Sequence, residues 1–107
     1  ISIIIINYIN ILLFQKKNKI IFWMFYMKLI VLNLPRDLSE QSLALLFKKI
    51  GDITSCNLII DKYTGISKGF GFVEMTLDHE GEIAIKELHG TKIGKNKIRV
   101  KQSTEQL

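Results

Sequence analysis

The stretch Ser67–Met75 constrains the fold more than any other, because apolar residues alternate along it with glycines and charged residues. Successive side chains of a β-strand point to opposite faces of the sheet. One face of this strand would carry Gly69, Gly71, Val73 and Met75, and the other Lys68, Phe70, Phe72 and Glu74. Burying a phenylalanine is worth roughly 1.5–3 kcal/mol, so two phenylalanines on a face that also carries charges indicate a binding surface. The alternative is an amphipathic strand whose phenylalanines are covered by another element.

The same stretch resembles a known signature. From Lys68 onward it is similar to the octapeptide of the RNA recognition motif family, Lys/Arg-Gly-Phe/Tyr-Gly/Ala-Phe-Val-x-Phe/Tyr, and it departs only at Met75, where an aromatic is usual. Leu29–Leu34 resembles the family's hexapeptide of aliphatic, aromatic, aliphatic, variable, Asn and Leu, except that Ile30 stands at the aromatic position. The resemblance spans residues 28–101. It implies that the first and third strands lie side by side in the middle of the sheet.

Hydrophobic periodicity predicts the other elements. We expect strands over 28–35 and 53–60, a turn and strand over 92–101, and helices that begin at the N-caps Ser39 and Asp78. Right-handed crossovers would place both helices on one face of a single sheet. The predicted fold class is therefore α+β, a ferredoxin-like βαββαβ sandwich in which a four-stranded antiparallel sheet carries two helices on one face.

The face without helices is the predicted binding surface. An apolar platform rimmed by cations suits single-stranded nucleic acid, because bases stack on aromatics at about 1–3 kcal/mol each and cations meet phosphates. The family resemblance implies that Phe70 and Phe72 contact bases and sugars and that Lys68 contacts a phosphate. Ile30 has no π-face, so we expect modest affinity and a loose sequence preference. The predicted RNA-binding residues are Ile30, Asn57, Ile59, Lys68, Phe70, Phe72, Lys97, Arg99 and Lys101.

Charge and composition support this class of partner. The net charge of +5 favours an anionic partner. The single cysteine, Cys56, excludes an internal disulfide and fits a reducing compartment. His79 and His89 would lie near opposite ends of the second helix, so no metal pair is expected. We predict a cytoplasmic monomer without a cofactor that binds single-stranded RNA, with single-stranded DNA as a second ligand, in post-transcriptional regulation or as an RNA chaperone.

Two other function classes stay open at this point. The first is a protein–protein interaction module on the same fold that binds no RNA, which the missing aromatic at Ile30 favours. Lysines on the last strand also suit a solvated edge that discourages pairing between sheets. The second is an enzyme on an open-sheet fold, such as an acylphosphatase. Such a site needs a phosphate-cradling loop, which the turn at 34–37 does not resemble, so no enzyme is expected.

Residues 1–26 differ in composition from the rest. They are rich in isoleucine and contain no Gly, Ala, Pro, Val, Thr, Arg, Asp or Glu, a bias expected of translated AT-rich non-coding sequence. We predict that 1–26 is a non-native or disordered extension, that the native product starts at Met27, that the domain spans 27–101 and that 102–107 is a polar tail. A further structured element and membrane association are the alternatives. The apolar run Ile3–Phe14 is shorter than the roughly 20 residues of a spanning helix.

Overall fold

The computed structural model describes residues 26–103, so the predictions for residues 1–25 and 104–107 lie outside the described residues. The elements in chain order are β1 (Met27–Leu32), α1 (Glu40–Lys48), β2 (Ile53–Ile60), β3 (Ser67–Met75), α2 (Asp78–Leu88), β4 (Lys92–Ile93), β5 (Asn96–Lys97) and β6 (Arg99–Gln102). One antiparallel sheet has the strand order β2-β3-β1-β6, and β4 pairs with β5 separately. The predicted ferredoxin-like fold is confirmed, with β1 and β3 at the centre of the sheet. Between residues 26 and 103 no helix has the length and apolarity to cross a bilayer.

The strand β3 separates the two faces of the sheet as its alternation predicts. Its odd-numbered residues are all buried, whereas the even-numbered residues between them keep part of their surface in solvent. Gly71 allows close packing on the buried side, because a Cβ there would lie 2.7 Å from the Asn57 carbonyl oxygen and 3.1 Å from Leu43 Cδ2. The glycine therefore lets α1 pack directly on the sheet.

The helix α1 begins and packs as its sequence predicts. The Ser39 hydroxyl accepts a hydrogen bond from the Ser42 amide at 3.1 Å, which satisfies one of the free amides at the helix start. Leu43 and Phe47 are fully buried, and Leu46 and other residues of the same stripe pack against them. A fully buried leucine or phenylalanine contributes roughly 1.5–3 kcal/mol, so this stripe fixes α1 on the sheet.

The start of α2 differs from the prediction. Leu77 precedes the helix in an extended conformation, no side chain caps the first turn, and Asp78 is already the first helical residue. The predicted cap at Asp78 is therefore wrong, although Asp78 still places a negative charge at the positive end of the helix dipole. The helix turns Gly81 and Ala84 inward, where both are buried. A Cβ at Gly81 would lie 2.7 Å from the Met27 sulfur, so the helix approaches β1 closely there.

The end of the chain is tied to the second helix and to the first strand. The imidazole of His89, just after α2, accepts a hydrogen bond at Nδ1 from the Val100 amide at 3.0 Å. Gln102 pairs with Leu29, and the Ser103 amide donates to the Lys28 carbonyl at 2.8 Å. The sheet therefore extends past the domain boundary expected at residue 101.

Candidate nucleic-acid interface

One row of side chains crosses the whole sheet on the face opposite the helices. The register pairs Phe72 with Asn57 on one side and with Ile30 on the other, and Ile30 pairs in turn with Lys101. Neighbouring strands lie about 4.8 Å apart, so these four residues span roughly 14 Å. The row places an amide, an aromatic ring, an aliphatic side chain and a cation in line.

The two phenylalanines form a single aromatic surface beside this row. The centroids of the Phe70 and Phe72 rings are 6.1 Å apart and the ring planes meet at 81°, an edge-to-face arrangement. Both side chains remain partly exposed among the described residues. The Lys28 ammonium lies 4.9 Å from the Phe72 ring centroid, within range of a cation–π interaction. The rings are therefore accessible to a flat apolar ligand, and a cation already lies over one of them.

Ile59 lies on the same face, near Lys68. It lies between Leu58, which pairs with Gly71, and Ile60, which pairs with Ser67, so a register shift places Ile59 opposite residues 68–70 of β3. Lys68 precedes Phe70 by two residues on β3 and is exposed. The structure thus brings an apolar side chain of β2 and a cation of β3 to one end of the aromatic surface.

A second cation, Arg36, stands at that end and was not among the predicted site residues. Its guanidinium donates to the Ser67 carbonyl at 3.3 Å and packs against Gly69, whose φ of 83° is a left-handed conformation that favours glycine. A Cβ on Gly69 would lie 3.1 Å from Arg36 Nε. Arg36 and Lys68 line an open cavity of about 440 Å³ together with Phe70. The sequence indicated only a turn at Arg36 and gave no sign that this turn folds back over β3.

Two asparagines hold the β4–β5 hairpin at the same end of the sheet. The Asn33 side-chain amide donates to the Lys97 carbonyl at 2.8 Å, and the Asn96 side-chain amide donates to the Asn33 carbonyl at 3.1 Å. Asn33 has a φ of 60°, a left-handed conformation that asparagine tolerates better than most residues. These two hydrogen bonds fix the hairpin beside the end of the open face that is farther from Glu74.

Lys97 does not lie on the strand where it was predicted. We expected Lys97, Arg99 and Lys101 to alternate along one strand, but Lys97 belongs to β5 and pairs with Lys92. Ile98 still bonds to the segment before β4, because its amide donates to the Thr91 carbonyl at 2.9 Å and its carbonyl accepts from the Gly90 amide at 2.8 Å, so pairing with β1 begins only at Arg99. The predicted continuous last strand is therefore wrong. Arg99 and Lys101 do lie in the four-stranded sheet, opposite Leu32 and Ile30.

At the other end of the open face, a carboxylate is fixed by hydrogen bonds from two hydroxyl groups. The Tyr26 hydroxyl donates to Glu74 Oε1 and the Ser55 hydroxyl donates to Oε2, each at 2.6 Å. These hydrogen bonds, from Ser55 first and then from Tyr26, lower the pKa of the Glu74 carboxyl, and the positive charge of Lys28 acts in the same direction. Burial, together with the hydrogen bond to Glu74, raises the pKa of Tyr26 to about 12.

A register shift in β2 makes this cluster possible. Ile53 pairs with Met75 whereas Ser55 pairs with Glu74, so one additional residue, Thr54, is inserted between the two pairs. Such a bulge turns the following side chain to the other face of the sheet. Without it, Ser55 would not lie beside Glu74, and the sequence shows no bulge signal at Thr54.

Cys56 lies partly buried against the core. It pairs with Val73 and packs against the core, and its thiol lies 3.8 Å from the Glu40 carbonyl oxygen. Burial, with a contribution from the negative charge of Glu40, raises the pKa of this thiol to about 11. Because only a thiolate is strongly nucleophilic, Cys56 is unreactive near neutral pH.

Comparison with known proteins agrees with this geometry. The family model of the RNA recognition motif matches residues 29–99. The chain is 42% identical over 74 residues to the chloroplastic 29 kDa ribonucleoprotein B of Nicotiana sylvestris, an alignment that covers 69% of this chain and 25% of that protein. It is 38% identical over 72 residues to the protein sex-lethal of Drosophila melanogaster, covering 67% of this chain and 20% of the other.

The fold also resembles solved structures of an RNA-binding protein and of a protein/RNA complex. The crystal structure of RNA-binding protein PG1 superimposes with a TM-score of 0.72 at 37% identity and covers 76% of this chain and 98% of that one. The Sxl-lethal protein/RNA complex superimposes with a TM-score of 0.72 at 34% identity, covering 75% of this chain and 48% of the other. The chain spans only 25% and 20% of the lengths of the two curated relatives above.

Proposed function

This chain belongs to the RNA recognition motif family, and from that premise we propose that it binds single-stranded RNA across the helix-free face of its sheet. The observation that carries the proposal is the row Asn57–Phe72–Ile30–Lys101, with Phe70 beside it. The family is one of RNA-binding, non-enzymatic domains, and the sequence-level prediction of a non-enzymatic binding domain agrees with that membership. Single-stranded DNA, whose bases offer the same π-faces, is a second ligand.

The aromatic rings supply the stacking energy in this proposal. One base stacks on the Phe72 ring and Phe70 contacts the neighbouring sugars, with about 1–3 kcal/mol for a stacked base. Ile30 offers the next base van der Waals contact without a stack. Asn57 and Ile59 extend the contact surface toward β2. Affinity is therefore modest for one domain of this family.

Cations supply the phosphate contacts. Lys68, Arg99 and Lys101 border the aromatic surface, Arg36 stands beside Lys68, and Lys97 lies on the adjacent hairpin. Binding to a single strand releases about 0.7 counterion per phosphate contacted. With five contacts, the logarithm of the association constant falls against the logarithm of salt concentration with a slope of about −3.5. A titration at several salt concentrations measures this slope directly.

The double variant Phe70→Ala with Phe72→Ala tests the proposal. Both rings lie on the open face, so their loss removes stacking, and we expect affinity for a single-stranded RNA oligonucleotide to fall tenfold or more. Thermal stability, followed by circular dichroism, should change little by comparison. The control is Leu45→Ala, which removes a side chain that is 57% exposed on α1. Unchanged RNA binding by the double variant contradicts the proposal.

A gain of affinity tests the role of the missing aromatic. Ile30 pairs directly with Phe72, so Ile30→Tyr places a second ring beside the first. We expect the association constant to rise about fivefold, because a stacked base adds a kilocalorie or more. Fluorescence anisotropy with the same oligonucleotide measures the change. An unchanged or weakened association constant in a folded Ile30→Tyr protein shows that no base lies over β1.

A protein-binding role without RNA is the second candidate, and one observation favours it. Ile60, the last residue of β2, and Ile66, just before β3, are 46% and 54% exposed and line a cavity beside the start of α1. Exposed apolar side chains of this kind occur at protein interfaces. The double phenylalanine variant distinguishes the two functions, because it should remove RNA binding and leave protein binding at Ile60 and Ile66 intact.

We also propose the cellular setting. The protein acts in regulation of RNA after transcription, or as an RNA chaperone, as a cytoplasmic monomer. Size-exclusion chromatography with light scattering measures the oligomeric state. A strand-annealing assay with two complementary RNAs measures chaperone activity, and imaging of the protein in its native host tests the localisation.

A further inference from the structure

Glu74 is held in one position on the open face next to Phe72. The two residues are neighbours on the same face of β3, and the carboxylate is fixed by hydroxyls from two other segments, Tyr26 and Ser55, each at 2.6 Å. A surface glutamate with no such partners loses side-chain entropy when it binds a ligand. At Glu74 part of that ordering is already present in the free protein.

The carboxylate keeps capacity for a ligand. Two carboxylate oxygens offer about four acceptor positions, and the hydroxyls use one on each oxygen. One acceptor position therefore remains on each oxygen, side by side. Glu74 is only partly buried, so a ligand on the open face can reach it.

The bases of RNA differ in how they match two adjacent acceptors. On its Watson–Crick edge guanine presents two neighbouring donors, N1–H and the N2 amino group. Adenine and cytosine present one amino group beside a ring nitrogen that accepts, and uracil presents one N–H between two carbonyl oxygens. A second carboxylate oxygen meets a donor on guanine and repels an acceptor on the other three.

We propose that Glu74 is a specificity-determining residue that selects guanine for the base stacked on Phe72, by accepting hydrogen bonds from N1–H and N2. This inference rests on the proposed function and adds the choice of base at one position. Ser55 is a positioning residue, because it acts through the carboxylate, and so is Tyr26 in a protein that includes residue 26. The lowered pKa of Glu74 supports the assignment, since the acceptor is ionised at neutral pH.

Lys28 completes the recognition. It pairs with Glu74 across β1 and β3, and its ammonium lies over the Phe72 ring. A base that stacks on Phe72 takes the place of the ammonium or lies beneath it. We expect a base that displaces the ammonium to receive a hydrogen bond from Lys28 at the guanine O6 atom.

The test compares oligonucleotides that differ in one atom group. The probes are oligouridines of about eight nucleotides with one central guanosine, inosine, adenosine or cytidine. Inosine lacks only the N2 amino group of guanosine. We expect the wild-type protein to bind the guanosine probe about fivefold or more tightly than the inosine probe, because a bidentate contact discriminates by at least that factor. Equal affinity for the two probes overturns the inference without any variant.

Variants of Glu74 and of its hydrogen-bond partners test whether the carboxylate causes the preference for guanosine over inosine. Glu74→Gln has one acceptor oxygen in place of two, so we expect the guanosine-to-inosine ratio to fall to about one while binding of oligouridine persists. Ser55→Ala and Tyr26→Phe should lower the same ratio in part. Glu82→Gln removes a negative charge from the exposed surface of α2 and should leave the ratio unchanged.

The outcomes separate this inference from the proposed function. If the wild-type protein binds none of the probes, the proposed function fails and the inference fails with it. If it binds all of them and Glu74→Gln raises every affinity by the same factor, Glu74 acts only through its charge and the inference alone is wrong.

Discussion

The two ends of the open face are built alike but differ in their charged groups: one has two cations, and the other has a carboxylate paired with Lys28. At one end, which we name the cationic end, Arg36 and Lys68 flank Phe70. At the other, the carboxylate end, Glu74 accepts hydrogen bonds from Tyr26 and Ser55 beside Phe72. Both ends join side chains from separate segments around one phenylalanine. The ligand therefore meets the two rings in different electrostatic surroundings.

Because of this difference, we expect the two ends to contribute differently to RNA binding. Phosphates carry the negative charge of RNA and are the same in every nucleotide, so cations supply affinity that is independent of sequence. A carboxylate repels phosphate and can favour a ligand only by accepting hydrogen bonds from base edges. The cationic end should set how tightly RNA binds, and the carboxylate end should set which base is preferred.

Removing both cations gives the largest effect and tests the first half of this comparison. We expect Lys68→Ala with Arg36→Ala to lower affinity for all single-stranded probes by roughly thirtyfold, because two charge-assisted contacts are lost. The magnitude of the salt slope should fall by about 1.4, or 0.7 for each phosphate contact. The guanosine-to-inosine ratio should stay unchanged.

Helix-side lysines provide the control. Lys48→Ala with Lys86→Ala removes the same charge from the last turns of the two helices, which cover the opposite face of the sheet. Affinity should then change little. An equal loss in both double variants means that net charge, rather than position, determines binding.

A glycine substitution disturbs the cationic end without removing a charge. Gly69 has a φ of 83°, and a Cβ there would meet Arg36 Nε at 3.1 Å and the Leu34 carbonyl oxygen at 3.2 Å. We expect Gly69→Ala to destabilise the protein by about 1–2 kcal/mol from backbone strain, with a further cost from these contacts. Urea unfolding followed by circular dichroism measures the change.

Gly90→Ala separates strain from contact. Gly90 has a similar φ of 82°, but a Cβ there would meet nothing within 4 Å. The excess cost of Gly69→Ala over Gly90→Ala reports the close contacts with Arg36 and the Leu34 carbonyl oxygen. Identical costs would show that Arg36 moves aside freely, and its place at the cationic end would then be less fixed than the structure indicates.

The two ends also differ in what the sequence could predict. Alternation over Ser67–Met75 depends only on local spacing, and it identified the faces of β3 and the position of Lys68. Periodicity likewise predicted the buried residues of α1, because a helix stripe follows from one segment alone. Contacts between distant segments were beyond this reasoning. Arg36 reaches β3 only because the turn after β1 folds back over Gly69.

The carboxylate end was missed altogether, for a related reason. It depends on a one-residue insertion at Thr54 that shifts the register of β2 against β3. An insertion of this kind moves a side chain to the other face, yet serine and threonine have no spacing that signals it. The predicted position of Lys97 failed similarly, since pairing with Lys92 decides it. The cap at Asp78 failed for a local reason, because the first turn closes on the Leu77 carbonyl. Hydrophobic patterns within one element were reliable, whereas the exact start of a helix and the registers between elements were not.

The pH dependence of stability gives the smallest effect and tests the carboxylate end without RNA. Tyr26, Ser55 and Lys28 face the Glu74 carboxylate, and the pKa of Glu74 is lowered in the folded protein. A carboxyl with a lowered pKa adds stability above its unfolded pKa of about 4.3, and this stability is lost as pH falls through the lower folded value. The unfolding free energies of wild type and Glu74→Gln should therefore differ most near neutral pH and converge in acid, by well under the full shift because the group is partly exposed. A wild-type advantage that persists unchanged into acid would mean that the hydroxyls of Tyr26 and Ser55 hold the neutral side chain equally well, and the carboxylate end would then lack the fixed charge that distinguishes it from the cationic end.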